Sequence, residues 1–221
     1  MKRRWVPIAV TLTVFAALLT LVGVAVSVMV SDVTAQLSGH RPAPTSSAPA
    51  AAVGIPRYDR PSFGDWARVR GNCDTREVIL ERDSAERAAD TDHDGCGDDG
   101  MLVDVYTGNL IRTRDAQIDH VLPLRVAWDA GAWNWPTAKR RLFYNDQSNL
   151  RAVLGRENER KSDLTPAQMM APVTPPAWRP STPAGMCALA TIWRATAHRW
   201  DLPIPPPDDA ALRDMATRCG Q

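Results

Sequence analysis

Residues 118–124 read Ile-Asp-His-Val-Leu-Pro-Leu, so an Asp-His pair lies inside an apolar run that Pro123 stops. A second apolar run follows Asn149, and the segment after that run carries Asn158 and Lys161. Because residues three positions apart share one face of a helix, these last two side chains can reach the same site. These signals predict an α+β fold around the Asp-His pair.

Other segments predict further elements near the motif. Met101–Gly108 is expected to form a strand ending in a turn, and Val78–Leu80 a short strand or the edge of a helix. Ala138–Tyr144 contains helix-forming residues, and so does the stretch after Asn149 through Lys161. Gln117–Leu124 is expected to form a second strand, which Pro123 stops, so the predicted order around the motif is strand, loop, strand and helix.

The C-terminal third is predicted to be helical. Cys187–Trp200 has its large apolar side chains near one face at helical spacing. Pro207-Asp208-Asp209 resembles a helix N-terminus, where the helix dipole favours carboxylates, and Ala210–Cys219 would form the helix that follows. We therefore expect two added C-terminal helices that pack as an antiparallel pair.

The chain contains an even number of cysteines, Cys73, Cys96, Cys187 and Cys219, with no Cys-x-x-Cys pair. This spacing argues against a zinc ribbon or a thiol redox motif and favours two disulfides formed in an oxidising compartment. Sequence alone leaves three pairings open. We favour Cys73 with Cys96 and Cys187 with Cys219, because each bridge then joins adjacent segments, and each would contribute about 2 to 4 kcal/mol.

The N-terminus has the features of an export signal. Lys2–Arg4 precede an uncharged, mostly apolar run over residues 6–30, which is long enough as a helix to cross a hydrocarbon core of about 30 Å. Residues 1–35 are therefore predicted to be a transmembrane signal anchor or a cleaved signal peptide, with Val33-Thr34-Ala35 acceptable for cleavage. Both alternatives place the rest of the chain outside the cytoplasm, either membrane-anchored or secreted.

The composition predicts a linker and limits how the chain can bind nucleic acid. Residues 36–56 are rich in Pro, Ala and Ser with almost no large apolar side chains, which predicts a disordered linker, and residues 57–221 would form the folded domain. The whole chain has a formal net charge of +1, and its exported part is close to neutral. Binding to nucleic acid would therefore require positive charge that is concentrated locally.

The motif supplies the groups that phosphodiester hydrolysis requires, namely a base for water and a site for a charge-neutralising cation. His120 is the candidate general base, because imidazole titrates near neutral pH. Asp119 and Asn158 are the candidate metal ligands, and such sparse oxygen ligation fits Mg²⁺, with Mn²⁺ as an alternative. Neighbours in a strand point to opposite faces, so Asp119 reaches this metal only where the strand bends or twists.

Three further polar residues have candidate roles near the base and the metal. Asn149 carries both a donor and an acceptor, so it can support catalysis by holding the segment that bears His120. Lys161 and Arg141 are candidate substrate-binding residues that meet phosphate oxygens. The expected partner is nucleic acid, with DNA as the first expectation and RNA as an alternative, and no protein partner is inferred.

The same residues resemble the HNH endonucleases, whose ββα-metal fold holds one divalent ion between two strands and a helix. The wider pattern includes Ala127-Trp128, Gly131-Ala132, Trp135, Arg141, Phe143, Asn145-Asp146, Asn149-Leu150, Ala152-Val153 and Lys161-Ser162-Asp163. This pattern is similar to secreted HNH-family proteins related to the C-terminal nuclease domain of GmrSD-type restriction enzymes. The similarity extends from about Tyr58 to Cys219.

The resemblance implies a metal-dependent endonuclease that acts outside the cytoplasm, with residues 57–221 as its nuclease domain. It implies Asp119 and Asn158 as metal ligands. It also implies His120 as the base and Asn149 as the middle asparagine of the motif. The fold class that follows is a disulfide-braced ββα-metal core with added C-terminal helices, preceded by the N-terminal signal or transmembrane helix.

An acidic segment supports a different interpretation. Asp90, Asp92 and Asp94 alternate before Gly95, as in the opening of a calcium loop. The last loop position of an EF-hand requires Glu and is Met101 here, so a solvated loop and a partial Ca²⁺ site both stay open. The alternative to an endonuclease is a non-catalytic extracytoplasmic binding module that keeps an HNH-like fold and uses this loop.

Overall fold

The computed structural model describes residues 54–86, 89–91, 93–174 and 177–220. The predicted helix over residues 6–30 and nearly all of the predicted linker lie outside these described residues. Residues 54–56, where the predicted linker ends, are exposed and belong to no helix or strand. None of the helices in the described ranges is long and apolar enough to span a membrane.

The first elements along the chain are a 3₁₀ helix (Arg60–Phe63), the antiparallel strands β1 (Arg68–Arg70) and β2 (Cys73–Asp74), and helix α1 (Thr75–Asp83). Helix α1 begins where it does because Asp74 caps it. The Asp74 carboxylate accepts a hydrogen bond from the backbone N–H of Glu77, and the Glu77 carboxylate accepts one from the N–H of Asp74. The short segment 78–80, predicted as a strand or helix edge, is therefore the middle of a helix.

A second hairpin consists of the antiparallel strands β3 (Met101–Val103) and β4 (Leu110–Arg112). The predicted strand that ends in a turn is confirmed here. Asp104 turns the chain, because its carboxylate accepts hydrogen bonds from the backbone N–H of Tyr106 and the hydroxyl of Thr107. Gly108 closes this turn with a φ of 73°. The turn directs the Tyr106 side chain inward, where it is 1% exposed.

The Asp-His stretch forms β5 (Ala116–His120), which pairs antiparallel with β6 (Leu150–Leu154) and is preceded by a 3₁₀ helix, Thr113–Asp115. Strand β5 ends at His120, earlier than predicted, because the Asn149 side chain bonds to both backbone polar groups of Leu122. The residues directly after Asn149 were expected to be helical and form a strand instead. Pairing with β5 and burial of Leu150 outweigh their helix propensity.

The helices around this strand pair are α2 (Leu124–Asp129), a 3₁₀ helix (Ala132–Asn134), α3 (Thr137–Tyr144) and α4 (Gly155–Lys161). Helix α4 follows β6 without a loop and packs against both strands of the pair. The predicted strand around the Asp-His pair and the predicted helix before Lys161 are present, and β6, which was not predicted as a strand, lies between them. Helix α1 closes the outer edge of β6, because Asp83 accepts from the N–H of Ala152 at 2.8 Å and Arg82 donates to the carbonyl of Leu150 at 2.7 Å.

The C-terminal helices are α5 (Pro166–Met169), α6 (Pro183–Arg199) and α7 (Pro206–Ala216). The two helices predicted in this region are present. Helix α6 begins about one turn before the predicted Cys187, and α7 begins one residue before the predicted N-terminus at Pro207, in both cases at a Pro, which is favoured in a first helical turn. The first turn of helix α6 packs against the turn that contains Tyr106. A Cβ at Gly185 would lie 2.8 Å from the carbonyl oxygen of Val105, so only glycine allows this approach.

Both disulfides have the predicted pairing. Cys73–Cys96 joins β2 to the acidic segment, with 5.5 Å between the Cα atoms. Cys187–Cys219 joins the first half of α6 to the residues after α7, with 5.0 Å between the Cα atoms. The second bridge fits the expected antiparallel arrangement of these two helices.

The described residues form two hydrophobic cores. The larger core is rich in aromatic residues, among them Phe63, Tyr106, Trp128, Phe143, Tyr144, Trp178 and Trp193. The smaller core packs Ile79 and Leu80 of α1 against Leu102 of β3 and Leu150 of β6. Trp66 packs against both cores, so it lies where they meet.

Candidate active site

The end of β5 opens into a cleft of about 370 Å³. Asp119 and His120 both line this cleft, together with Asn158 from α4. Neighbouring strand residues were expected to point apart, but these two share one cavity because the cavity lies where the strand ends. The other polar or charged side chains in the lining include Tyr58, Arg60, Gln117, Arg125, Glu159 and Asp163.

Asp119 is 4% exposed, and both of its carboxylate oxygens accept hydrogen bonds. The Lys161 ammonium donates to Oδ1 at 2.8 Å, and the Tyr106 hydroxyl donates to Oδ2 at 2.5 Å. Burial, followed by the charge of Asp119, raises the pKa of Tyr106 well above its ordinary value, so the phenol keeps its proton and stays a donor. The carboxylate is thus held in one orientation by two buried groups.

Lys161 was expected to contact a phosphate, and the structure places it differently. Its side chain is completely buried, and its ammonium donates both to Asp119 and to the backbone carbonyl of His120 at 2.9 Å. A buried cation that already has these two partners is not presented to a ligand in the cleft. In this structure, Lys161 neutralises Asp119 and fixes the end of β5.

The hydrogen bond of the His120 ring defines its tautomer. Nε2 lies 2.8 Å from the backbone carbonyl of Tyr144. A carbonyl oxygen can only accept, so Nε2 carries the proton and donates it. Nδ1 of the neutral ring is therefore unprotonated, and it is the nitrogen that can take up a proton.

Aromatic packing holds the His120 ring in place. The indole of Trp66 lies parallel to the imidazole, with 5.8 Å between ring centroids and 6° between ring planes. Trp66 is itself held by Asn145, whose side chain donates to the carbonyl of Asp65 at 3.1 Å and accepts from the N–H of Ala67 at 2.8 Å. The orientation of the imidazole thus depends on a segment more than fifty residues earlier in the chain.

Burial of His120 lowers the pKa of its imidazole from 6.5 to about 4. The hydrogen bond to Tyr144 and the charge of Asp119 oppose this shift, whereas the nearby cations Arg60 and Lys161 add to it. The ring is therefore neutral at physiological pH. A neutral imidazole is the form that can act as a general base.

Asn149 is fully buried and bonds the loop after β5 from both sides of its amide. Its Oδ1 accepts from the N–H of Leu122 at 2.8 Å, and its Nδ2 donates to the carbonyl of Leu122 at 3.0 Å. The backbone carbonyl of Asn149 accepts from the N–H of Val121 at 2.9 Å. The side chain does not line the cleft, and its contacts hold the segment that follows His120.

Asn158 lies on the helix side of the cleft with its amide orientation defined. Its Nδ2 donates to Oε1 of Gln117 at 2.8 Å, and the Gln117 amide in turn donates to Glu159 at 3.2 Å. Gln117 and Asp119 are two residues apart in β5 and therefore extend from the same face of the strand. The oxygen of Asn158 is left available to a ligand that shares the cleft with Asp119.

The structure does not bring Arg141 into the cleft. Its exposed side chain lies beside Gly64, and it does not line the cleft. The cations that do line the cleft are Arg60 and Arg125, which sequence reasoning missed. No local pattern marks either residue, because Arg60 lies far from the motif in the chain and Arg125 lies in the first turn of an ordinary helix.

The acidic segment is part of a hydrogen-bonded loop. The Asp90 carboxylate accepts from the N–H groups of Asp94 and Gly95, at 3.1 and 2.9 Å. Asp92 lies outside the described residues, so the expected Ca²⁺ site stays a prediction. Within the described ranges, Glu77, Asp94 and Cys96 lie close enough to hold a metal, but Cys96 is in a disulfide and offers no thiolate.

Fold and site together define a mixed helix and strand protein with two disulfides, whose Asp-His pair lines a cleft at a strand end. A family model for the C-terminal domain of GmrSD restriction endonucleases matches residues 74–172. An uncharacterized secreted protein of Arthroderma benhamiae is 32% identical over 165 residues, which cover 73% of this chain and 76% of that protein. No solved structure matches the chain.

The chain belongs to the family of GmrSD restriction endonuclease C-terminal domains. Membership in this family suggests a nuclease-type function and therefore a nucleic acid substrate. The match begins at Asp74, the cap of α1, and ends shortly after α5, so it contains β5, β6 and α4 completely.

Proposed function

We propose that this protein is a metal-dependent endonuclease that hydrolyses phosphodiester bonds of nucleic acid, with DNA as the expected substrate. The observation that carries the proposal is the meeting of three groups in one cleft: the neutral imidazole of His120, the carboxylate of Asp119 and the amide of Asn158. Strands β5 and β6 with helix α4 have the order of a ββα-metal core. Residues 57–221 are the proposed nuclease domain.

The oxygen donors in the cleft fit a divalent cation. A carboxylate has about four acceptor positions, and Lys161 and Tyr106 use two of those on Asp119. Asp119 and Asn158 would hold the ion, and a site with so few protein oxygens suits Mg²⁺ or Mn²⁺, which retain bound water. When bound, the ion supplies positive charge that stabilises the phosphate and the leaving oxygen as negative charge develops.

His120 acts as the general base in this proposal. Its Nε2 proton is committed to the Tyr144 carbonyl, so Nδ1 removes the proton from the attacking water. The low pKa of the ring keeps Nδ1 free of a proton at neutral pH. Stacking on Trp66 limits rotation of the ring, which reduces the reorganisation required at the moment of reaction.

Three other residues act by positioning. Lys161 and Tyr106 orient the Asp119 carboxylate, and Asn149 holds the loop that follows His120. Each of the three is almost completely buried and bonded within the protein. They are therefore expected to influence cleavage through the geometry of Asp119 and His120 rather than through contact with substrate.

The proposed setting is outside the cytoplasm, either in secreted form or attached through the N-terminal segment. The relative from Arthroderma benhamiae is described as secreted. Two disulfides with no free cysteine are the usual pattern of proteins that mature in an oxidising compartment. The predicted export and the two disulfides therefore support the same setting outside the cytoplasm.

Cleavage assays test the proposal directly. The full chain, kept in mild detergent because of its predicted apolar segment, should nick plasmid DNA with Mg²⁺ or Mn²⁺ and stop in EDTA. Parallel reactions with single-stranded DNA and RNA would define the substrate. If no nucleic acid is cut with any divalent ion, the proposed function is rejected.

The role of the base is tested by His120→Ala. Loss of a positioned base should lower the cleavage rate about 10²- to 10⁴-fold. His198→Ala is the matched control, because His198 is an exposed histidine on α6 outside the cleft. Equal rates for His120→Ala and the control would rule out His120 as the base.

A further inference from the structure

Arg60 is a cation in the cleft that the motif does not contain. It is the first residue of the 3₁₀ helix Arg60–Phe63, its side chain is exposed, and it lines the cleft with Asp119 and His120. Asp119 and His120 are buried in this lining, whereas Arg60 is exposed at it. A guanidinium and the proposed base therefore share the same small volume.

Arg60 differs from the other cations nearby in having no acidic partner. Lys161 is paired with Asp119 at 2.8 Å, and Arg125 is paired with Asp129 at 2.8 Å. No carboxylate among the described residues forms an ion pair with Arg60. An exposed guanidinium without a counter-ion keeps its donors available to an anion that enters the cleft.

Two tyrosines lie beside Arg60 at the cleft. The guanidinium carbon of Arg60 lies 5.9 Å from the ring centroid of Tyr144, and Tyr58 lines the cleft together with Arg60. Tyr144 is also the residue whose carbonyl holds the His120 ring. Arg60 and His120 thus both contact Tyr144, one through its ring and the other through its backbone carbonyl.

We propose that Arg60 is a substrate-binding residue that holds a phosphate oxygen of the nucleic acid strand next to His120. This inference rests on the proposed function, because it assigns the phosphodiester group as the anion. The planar guanidinium can donate two parallel hydrogen bonds to a phosphate, a geometry that lysine cannot reproduce. Arg60 thereby takes the role that Lys161 and Arg141 were expected to fill.

Binding without metal tests Arg60 independently of cleavage. The probe is a short fluorescein-labelled DNA duplex, titrated with the full chain in EDTA and followed by fluorescence anisotropy. Arg60→Gln should raise Kd about tenfold or more, and it should lower the slope of log Kd against log salt by about 1. Arg60→Lys should recover the salt slope but only part of the affinity, because it keeps the charge and loses the planar fork.

Arg114→Gln is the matched control. Arg114 is an exposed arginine in the 3₁₀ helix before the far end of β5, and it does not line the cleft. Arg114→Gln removes the same charge as Arg60→Gln, but it should change Kd by less than about twofold. Circular dichroism of each variant establishes that the fold is retained.

The outcomes separate the two proposals. Weaker binding by Arg60→Gln than by Arg114→Gln supports the phosphate contact, whether or not the wild-type chain cleaves. Binding that is lost in Arg60→Gln, with no cleavage by the wild-type chain under any divalent ion, rejects the nuclease and retains the anion site. The role of Arg60 is overturned if the wild-type chain cleaves nucleic acid and both variants bind it equally well. It is also overturned if the wild-type chain does not bind the duplex.

Discussion

The cleft has two parts that differ in burial and in hydrogen bonding. Its floor consists of Asp119 and His120 with the groups that hold them, Lys161 and Tyr106, and none of these four side chains is more than 6% exposed. Its rim includes Arg60, which is exposed and has no acidic partner in the described ranges. The floor is organised by the fold itself, whereas the rim retains donors and acceptors for a ligand.

This difference predicts that the two parts respond differently to substitution. A buried group bonded within the protein contributes both to folding and to site geometry, so its loss should reduce stability and activity together. A rim group should affect ligand binding or cleavage while the fold stays intact. The free energy of unfolding, measured with urea, is therefore the scale on which floor and rim can be separated.

The largest loss of stability is expected for Lys161→Met. The variant leaves the Asp119 carboxylate buried without its cation, which should cost about 3 to 5 kcal/mol. The double variant Asp119→Asn with Lys161→Met removes both charges and should recover part of this loss. A change below about 1 kcal/mol in the single variant would mean that this pair does not behave as a buried ion pair.

The next largest effect is the pH dependence contributed by His120. Its pKa is about 4 in the folded chain against 6.5 as the ordinary value, so the unfolded chain binds the proton more readily. Stability from the neutral ring is complete above pH 6.5 and is lost as the pH falls toward 4, by about 3 kcal/mol. His120→Gln should show a correspondingly smaller loss than wild type, and His198→Gln should behave like wild type.

A smaller loss is expected for Tyr106→Phe. The substitution keeps the ring that meets Trp178 edge-on and removes only the hydroxyl that donates to Asp119. Loss of a hydrogen bond to a charged group should lower the free energy of unfolding by about 2 kcal/mol. The cleavage rate should fall with it, since the carboxylate is then held by Lys161 alone. An unchanged free energy of unfolding and an unchanged cleavage rate would mean that the Tyr106 hydroxyl does not hold Asp119.

The smallest change in stability is expected for Asn158→Ala, at the rim. Its side chain is only partly buried and bonds to Gln117, so the free energy of unfolding should change by less than about 0.5 kcal/mol. Metal-dependent cleavage should nevertheless fall about a hundredfold, if Asn158 holds the ion. Asn134→Ala, at an exposed asparagine outside the cleft, should leave both quantities unchanged. Full activity of Asn158→Ala would exclude it as a metal ligand.

The elements that the sequence predicted well are those whose signals are local. The apolar runs around Asp119 and after Asn149, the segment carrying Asn158, and both disulfide pairings depend on spacing along the chain. The strand at Asp119, the helix that carries Asn158 and both disulfides are present. The exception is residues 150–154, whose helix-forming composition gave the wrong element because strand pairing is a tertiary effect.

The roles of side chains in the cleft were harder to predict. Lys161 has the correct helical face for the site, but its burial and its bond to Asp119 depend on how α4 packs on β5. Arg60 reaches the cleft from a segment that lies far before the motif in the chain. Sequence spacing identifies which residues belong to one element, but distances between elements are set by packing.

The cover that α1 provides over the outer edge of β6 has a consequence for self-association. A two-stranded sheet leaves open edges that can template addition of a strand from another molecule, which is a route to aggregation. Arg82 and Asp83 occupy the edge of β6 at Leu150 and Ala152, so an incoming strand would first have to displace two charged side chains. The β6 edge of the strand pair that bears the Asp-His pair is thereby protected from intermolecular β-pairing.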